Sequence, residues 1–275
     1  MTKRLRQLKA MIYILPSLIG FSILYLIPFL WGIKYSLSKS GFDSTFVGFA
    51  NYSEVLSSSA FRLALKNTGI FMGVAIPLIM ILSFLLALAI YELKPPKFVY
   101  LFMVLPIAIP SAAAAGFFRK LIGTGAFSLM NSDYAMLGVI LIFLWKNTGF
   151  NLIINMAGLL QLDTSVIEAS KIDGATYFQR LRHVIVPMCT PTTVFAGIVT
   201  IINSFKVFKD VYVLQGSYPN PSIYMLQHYM NNKFNDLQYE KLTSGAYIFA
   251  LVIFTFAFLL FCLDKSYSKR VGESE

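Results

Sequence analysis

Lys146 stands about midway along an otherwise apolar run, in the stretch Leu144-Trp145-Lys146-Asn147-Thr148-Gly149-Phe150-Asn151. A lysine at the centre of a membrane span costs on the order of 3 kcal/mol, so it must face protein or water. Asn147, Asn151 and Asn155 recur every four residues and so share one helix face. Thr200, Asn203 and Ser204 cluster in the same way on a later apolar run. Amides and hydroxyls converging from two helices can hydrogen-bond a hydroxylated, neutral solute, and Trp145, Phe205 or Phe208 can stack on its apolar faces. An anion would want arginine, and neither run carries one. The same side chains also serve as interhelical hydrogen bonds, which Asn and Ser commonly supply in membranes. Both uses stay open at this level.

Catalytic chemistry finds little support. The two histidines, His183 and His228, are far apart and lack metal-ligand company. No Cys/His or Ser/His/Asp constellation appears, and no G-x-x-x-x-G-K-[ST] phosphate loop. We expect no enzyme, no metal site and no cofactor in this chain. Cys189 and Cys262 sit at the edges of apolar runs and offer no disulfide framework.

A polar cassette, EASKIDGATYFQRLRHVIVP, runs from Glu168 to Pro187 between two apolar runs. Ser165 and Glu168 have the spacing of a capping box, which predicts a helix start there and a helix to about Ile172. Gly174 supplies the positive φ that a turn between helices needs. A second helix is expected over Ala175–His183, with Tyr177, Phe178 and Leu181 on one face. Pro187 and Pro191 punctuate the start of the next span. Such a helix–turn–helix ledge suits docking into a groove on a partner, or lying at the membrane interface.

Glu168-Ala169-Ser170, three residues, Gly174, nine residues and Val184-Ile185-Val186-Pro187 resemble the EAA loop of ABC importer membrane subunits. Asp173-Gly174-Ala175, the preceding Ala157-Gly158-Leu159-Leu160-Gln161 and the later Phe205-Lys206-Val207-Phe208-Lys209-Asp210-Val211-Tyr212 resemble the carbohydrate-uptake branch, the maltose and glycerol-phosphate type. The resemblance implies a type I ABC importer permease fold and a cassette that inserts into a cleft on an ATPase subunit. Glu168, Ala169, Ser170, Asp173, Gly174, Ala175, Phe178 and Pro187 are the implied coupling residues, with Phe178 as anchor. It places a sugar site at Asn147 and Gly149 on one span and at Thr200 and Ser204 on another. Lys146, Asn151 and Asn203 join that set on polarity alone. The implied partners are a second homologous permease, two ATP-binding subunits carrying ATP and Mg²⁺, and an extracytoplasmic sugar-binding protein. Two rival expectations are an importer for a non-sugar solute and a membrane scaffold or signalling subunit without transport.

The elements that must position these residues are membrane helices. The chain has 275 residues, of which 57% are hydrophobic and only 13% charged, about half the charge of a soluble domain. Mean hydropathy is +0.67. Such an excess of apolar surface implies a bilayer as solvent. Six runs are long enough to cross it, roughly 11–33, 68–91, 98–118, 134–158, 188–207 and 243–263. Two-residue alternation is absent, which leaves an all-α bundle of six spans, one permease domain over residues 1–275, with the coupling loop at about 161–187. Proline in several spans (Pro16, Pro28, Pro77, Pro106, Pro110, Pro191) fits ordinary membrane helices and equally the kinked helices that line a pathway. Residues Thr2–Lys9 resemble a signal-peptide n-region, but the apolar run after them is too long and lacks a convincing cleavage site, so an uncleaved first span is expected. The net charge of +10 is scattered between apolar runs rather than gathered in a stripe, which argues for membrane anchoring and against nucleic acid. Basic residues are densest in the short segments, which puts both termini, residues 92–97 and the cassette in the cytoplasm of a bacterial cell, with the chain in its inner membrane.

Overall fold

The protein is described by a computed structural model that covers residues 13–122 and 129–272. The charged segment Thr2–Lys9 lies outside these described residues. Helix α1 spans Tyr13–Ser36; α2 is Ala50–Ser57 and α3 Ser59–Leu93. Helix α4, Lys97–Val104, runs on as a 3₁₀ turn, Leu105–Ala108, and α5 is Ser111–Ile122. Then come α6, Ala135–Leu160, and α7, Thr164–Ile172. Helix α8 covers 177–204, α9 Val207–Gln215, α10 Leu226–Asn235 and α11 Tyr239–Gly272. The fold is all-α; the extended pairing among the described residues is an isolated bridge between Ser38 and Phe46.

Among the described residues, four helical segments are long and apolar enough to cross a membrane: α1, α3, α6 and the continuous Tyr177–Gln215. The third expected span is not one straight helix. It is a pair, Lys97–Ala108 and Ser111–Leu121, bent by 102°, and would be a fifth crossing if counted as one. The break has a local cause. Ile109 precedes Pro110 and is held extended, at φ −83° and ψ 120°. The sixth expected span falls on α11, where several side chains lie outside the described residues.

Proline also shapes the unbroken helices. A π turn, Ser22–Leu26, ends just before Pro28, and another, Leu181–Ile185, just before Pro187. A proline ring crowds the carbonyl four residues back and gives it no N–H; the wider turn moves the backbone bond to i−5, as in Val186 N–H to Leu181 O.

Contacts divide the chain into two units, Met1–Arg62 with Tyr229–Leu251, and Leu63–His228 with Val252–Glu275. In the first, Asn51 donates to the carbonyls of Ser36 and Ser38, and the Glu240 carboxylate accepts from the Gly41 N–H at 3.1 Å. Lys241 pairs with Glu54.

The second unit holds two apolar cores. One gathers Phe71, Ile79, Val139, Phe143, Val207 and Ile223; the other Leu88, Leu152, Leu159, Ile185 and Cys189. Close approach of α6 to α4 rests on Gly149. A Cβ there would lie 2.5 Å from the Met103 carbonyl oxygen and 2.9 Å from Val104 Cα, and backbone cannot yield as a side chain does. Gly149→Ala should therefore cost about 1–3 kcal/mol. Gly73→Ala on α3, with nothing within 4 Å, should be neutral or slightly stabilising. Thermal melts of the detergent-purified variants compare the two.

His228 on α10 is fully buried. Its Nδ1 accepts from the Met225 N–H at 3.2 Å, and its ring meets Phe208 edge-on at 4.7 Å. Burial pushes its pKa down from 6.5 to about 4. A depressed histidine is buried neutral, so the unfolded chain takes up its proton first. The stability this site contributes is whole above about pH 6.5 and falls by ~3 kcal/mol as pH drops to about 4. A melt series from pH 7 to pH 4.5 should show that slope, reduced in His228→Gln.

Candidate functional site

The 102° bend leaves a cavity beside it. About 440 Å³ of space is lined by Ile107 and Ser111 from the bend, by Lys146, Asn147 and Phe150 from α6, by Val199, Ile202 and Asn203 from α8, and by Lys206, Val207, Lys209 and Asp210 from the start of α9. Lys146 reaches across it. Its Nζ donates at 2.8 Å to Ser111 Oγ and at 2.8 Å to Asp210 Oδ1. Asp210 is buried, at 4% exposure, so one ion pair with a hydroxyl partner ties α5, α6 and α9 together. Lys146 thus lies on the cavity wall with both of its hydrogen bonds made to protein side chains. The carboxylate that pairs with it was not anticipated, although it stands in the quoted stretch after the fifth apolar run.

The remaining expected pathway residues separate into two groups. Asn147 and Asn203 line the cavity, where the Asn203 amide oxygen accepts from Lys206 Nζ at 2.8 Å. Asn147 spends its amide N–H on the Phe143 carbonyl one turn back. Asn151, Thr200 and Ser204 are buried. Thr200 donates to Asn151 Oδ1 at 2.7 Å, bolting α6 to α8, and Ser204 donates to the Ile201 carbonyl. Asn155 bonds Ser83 on α3. Gly149 packs against α4, as described above. Trp145 turns from the cavity to Phe117 and Phe118 on α5, and Phe208 packs on His228; the aromatic ring on the cavity wall is Phe150.

The cassette forms a two-helix ledge with a different cap from the one expected. The Ser165–Glu168 box does not form. Asp163 is the N-cap of α7, its Oδ1 accepting from the Ser165 N–H at 2.8 Å. Hydrogen bonds from the Ser165 side chain and backbone hold the Asp163 carboxyl below its ordinary range. The reciprocal capping box lies one helix later, between Thr176 and Gln179 at the start of α8. Between them Gly174, at φ 79°, closes α7. Its N–H bonds the Lys171 carbonyl and the Ala175 N–H bonds the Ser170 carbonyl, the paired bonds of a Schellman turn. Asp173 is the C-cap residue of α7.

The aromatic face splits. Leu181 packs against the second core, Tyr177 O–H donates to Glu92 at 3.2 Å, and Phe178 is left 77% exposed. A groove of about 390 Å³ is lined by Glu92, Glu168, Lys171, Tyr177 and Arg180 among others. Glu168 has no salt bridge among the described residues. Ala169 is exposed on the same helix, and Pro187 opens the regular part of α8.

A family model described as binding-protein-dependent transport system inner membrane component matches residues 67–273. The chain belongs to that family. The sn-glycerol-3-phosphate transport system permease protein of Rhizobium meliloti (strain 1021) is 31% identical over 72% of this chain and 75% of its own length. The lactose transport system permease protein of Rhizobium radiobacter is 26% identical over 94% of this chain and 95% of its own. The crystal structure of a bacterial ABC transporter involved in the import of the acidic polysaccharide alginate contains a chain with the same fold, at TM-score 0.79 and 22% identity, covering 96% of each chain. This inner membrane component is accordingly a multi-pass permease of the type I ABC importer fold, and its family role is transport.

Proposed function

We propose that the chain is one of two permease subunits of a bacterial ABC importer for a sugar or oligosaccharide. In this reading a homologous second permease completes the pathway, two ATPase subunits bind ATP and Mg²⁺, and an extracytoplasmic binding protein delivers the solute. The ledge lies in the cytoplasm, with both termini and the segment at 92–97.

The observation that carries the reading is Phe178: a large apolar ring exposed in the first turn of α8 on a doubly capped ledge, with Glu168, which has no salt bridge among the described residues, on the preceding helix. Exposed aromatic anchors of this kind supply most of the energy of a protein–protein contact. Rigid caps on both sides of Gly174 let the ledge transmit a push rather than bend. Closure of the ATPases would move the ledge, α8 would carry the displacement, and the cavity lined by α6, α8 and α9 would change its access. The lactose and glycerol-phosphate relatives support the solute class.

Sugar import is tested by co-purifying the chain with its ATPases and second permease, then measuring ATP-driven uptake of labelled mono- and oligosaccharides in proteoliposomes with the binding protein. Uptake that needs all components supports the reading; ATP-independent movement, or none, contradicts it.

A further inference from the structure

The charge of the cavity narrows the solute class, given the importer reading above. Three lysines, Lys146, Lys206 and Lys209, share its wall with one carboxylate, Asp210. That carboxylate is committed to Lys146 at 2.8 Å. Lys206 has only a neutral partner, the Asn203 amide oxygen, and neither Lys206 nor Lys209 has a salt bridge among the described residues. Both are exposed. The wall thus carries two uncompensated positive charges beside hydroxyl and amide groups at Ser111, Asn147 and Asn203.

From this the geometry points to an anionic, hydroxyl-rich solute, a sugar or polyol bearing a phosphate or a carboxylate, held by Lys206 and Lys209. The neutral polyol expected from the asparagines and hydroxyls alone is revised by charge. A cleft lined by one sign of charge raises the local concentration of the opposite ion by about 10- to 1,000-fold. A neutral solute gains nothing from such a field, while the ammonium groups lose hydration when it enters. Lysine suits a phosphate or carboxylate as a point charge, without the fixed fork of arginine.

The test reads the field itself in the assembled transporter, so that charges from the second permease are included. In a Cys189→Ser, Cys262→Ser background, Val199→Cys places one thiol on the cavity wall. Its modification rates by an anionic and by a cationic methanethiosulfonate are compared with the same ratio on a small free thiol. The anionic reagent should be favoured at least tenfold over that reference. Lys206→Gln/Lys209→Gln should abolish the preference, and Lys206→Arg/Lys209→Arg should keep it. Protection of the thiol by glucose 6-phosphate or by glucuronate then separates phosphate from carboxylate. Equal rates for the two reagents, or protection by glucose as strong as by either anion, overturn the inference and leave the importer reading intact. Loss of the importer reading would show separately, as absence of ATP-driven uptake.

Discussion

Lys146→Ala should lower the stability of the chain by about 3–5 kcal/mol, among the largest effects expected of any single substitution here. The reason lies in what remains. Asp210 is 4% exposed and its ion pair is with Lys146, so truncation leaves a carboxylate buried without its cation. Desolvating an unpaired ion costs several kcal/mol, whereas the pair itself contributes little net. The companion expectation follows: Lys146→Met/Asp210→Leu should recover most of the loss, because neither charge is then stranded. Asp210→Asn alone should fall between, since the amide can still accept from the ammonium. Melting curves of the parent, Lys146→Met, Asp210→Leu and the double variant, read as a double-mutant cycle, measure the coupling. A Lys146→Ala protein as stable as the parent would show that water or a partner reaches Asp210.

Phe178→Ala makes the opposite kind of prediction, a large effect on assembly with almost none on folding. At 77% exposure the ring contributes little to this chain's own core, so stability should stay within about 0.5 kcal/mol. As the anchor of a contact, its loss should weaken ATPase binding by about 2–4 kcal/mol, roughly 30- to 1,000-fold. Co-purification should fall accordingly in a pull-down at low ATPase concentration. Gly174→Val is the instructive comparison. With φ at 79° a β-branched residue is strained by ~1–3 kcal/mol, and the Schellman turn that aims the ledge is lost. That variant should lose both ledge geometry and coupling, while Phe178→Ala loses coupling alone.

How far these features could be read from residues alone depended on the range of the interaction. Hydropathy located the apolar runs, because helix formation in lipid is a local requirement on the backbone. Gly174 was legible for the same reason: a positive φ is a property of one residue. The cap of α7 was misread by two positions, since Asp163 and Ser165 can both cap and only the geometry selects Asp163. Pro110 marked a weak point, but the 102° angle of the bend at Ile109 is not written in that dipeptide. The candidate cavity was harder. Asn147 and Asn151 share a face by sequence, yet a modest rotation along α6 puts one on the cavity and the other on Thr200. The Lys146–Asp210 pair spans 64 residues, and no local pattern announces it. An acid beside the fifth apolar run was nevertheless a signal, because a lysine buried at mid-span needs a carboxylate within reach.

On the function proposed above, ATPase closure reaches the solute pathway through the ledge at Gly174 and Phe178. The most direct test of that coupling is ATP-driven solute uptake by proteoliposomes holding the complete transporter, with the chain either unaltered or carrying Phe178→Ala, at ATPase concentrations high enough to saturate the parent. Robust uptake by the parent and a loss of at least tenfold in the variant are expected, with the variant's melting temperature unchanged. Equal uptake by the two proteins would contradict the coupling.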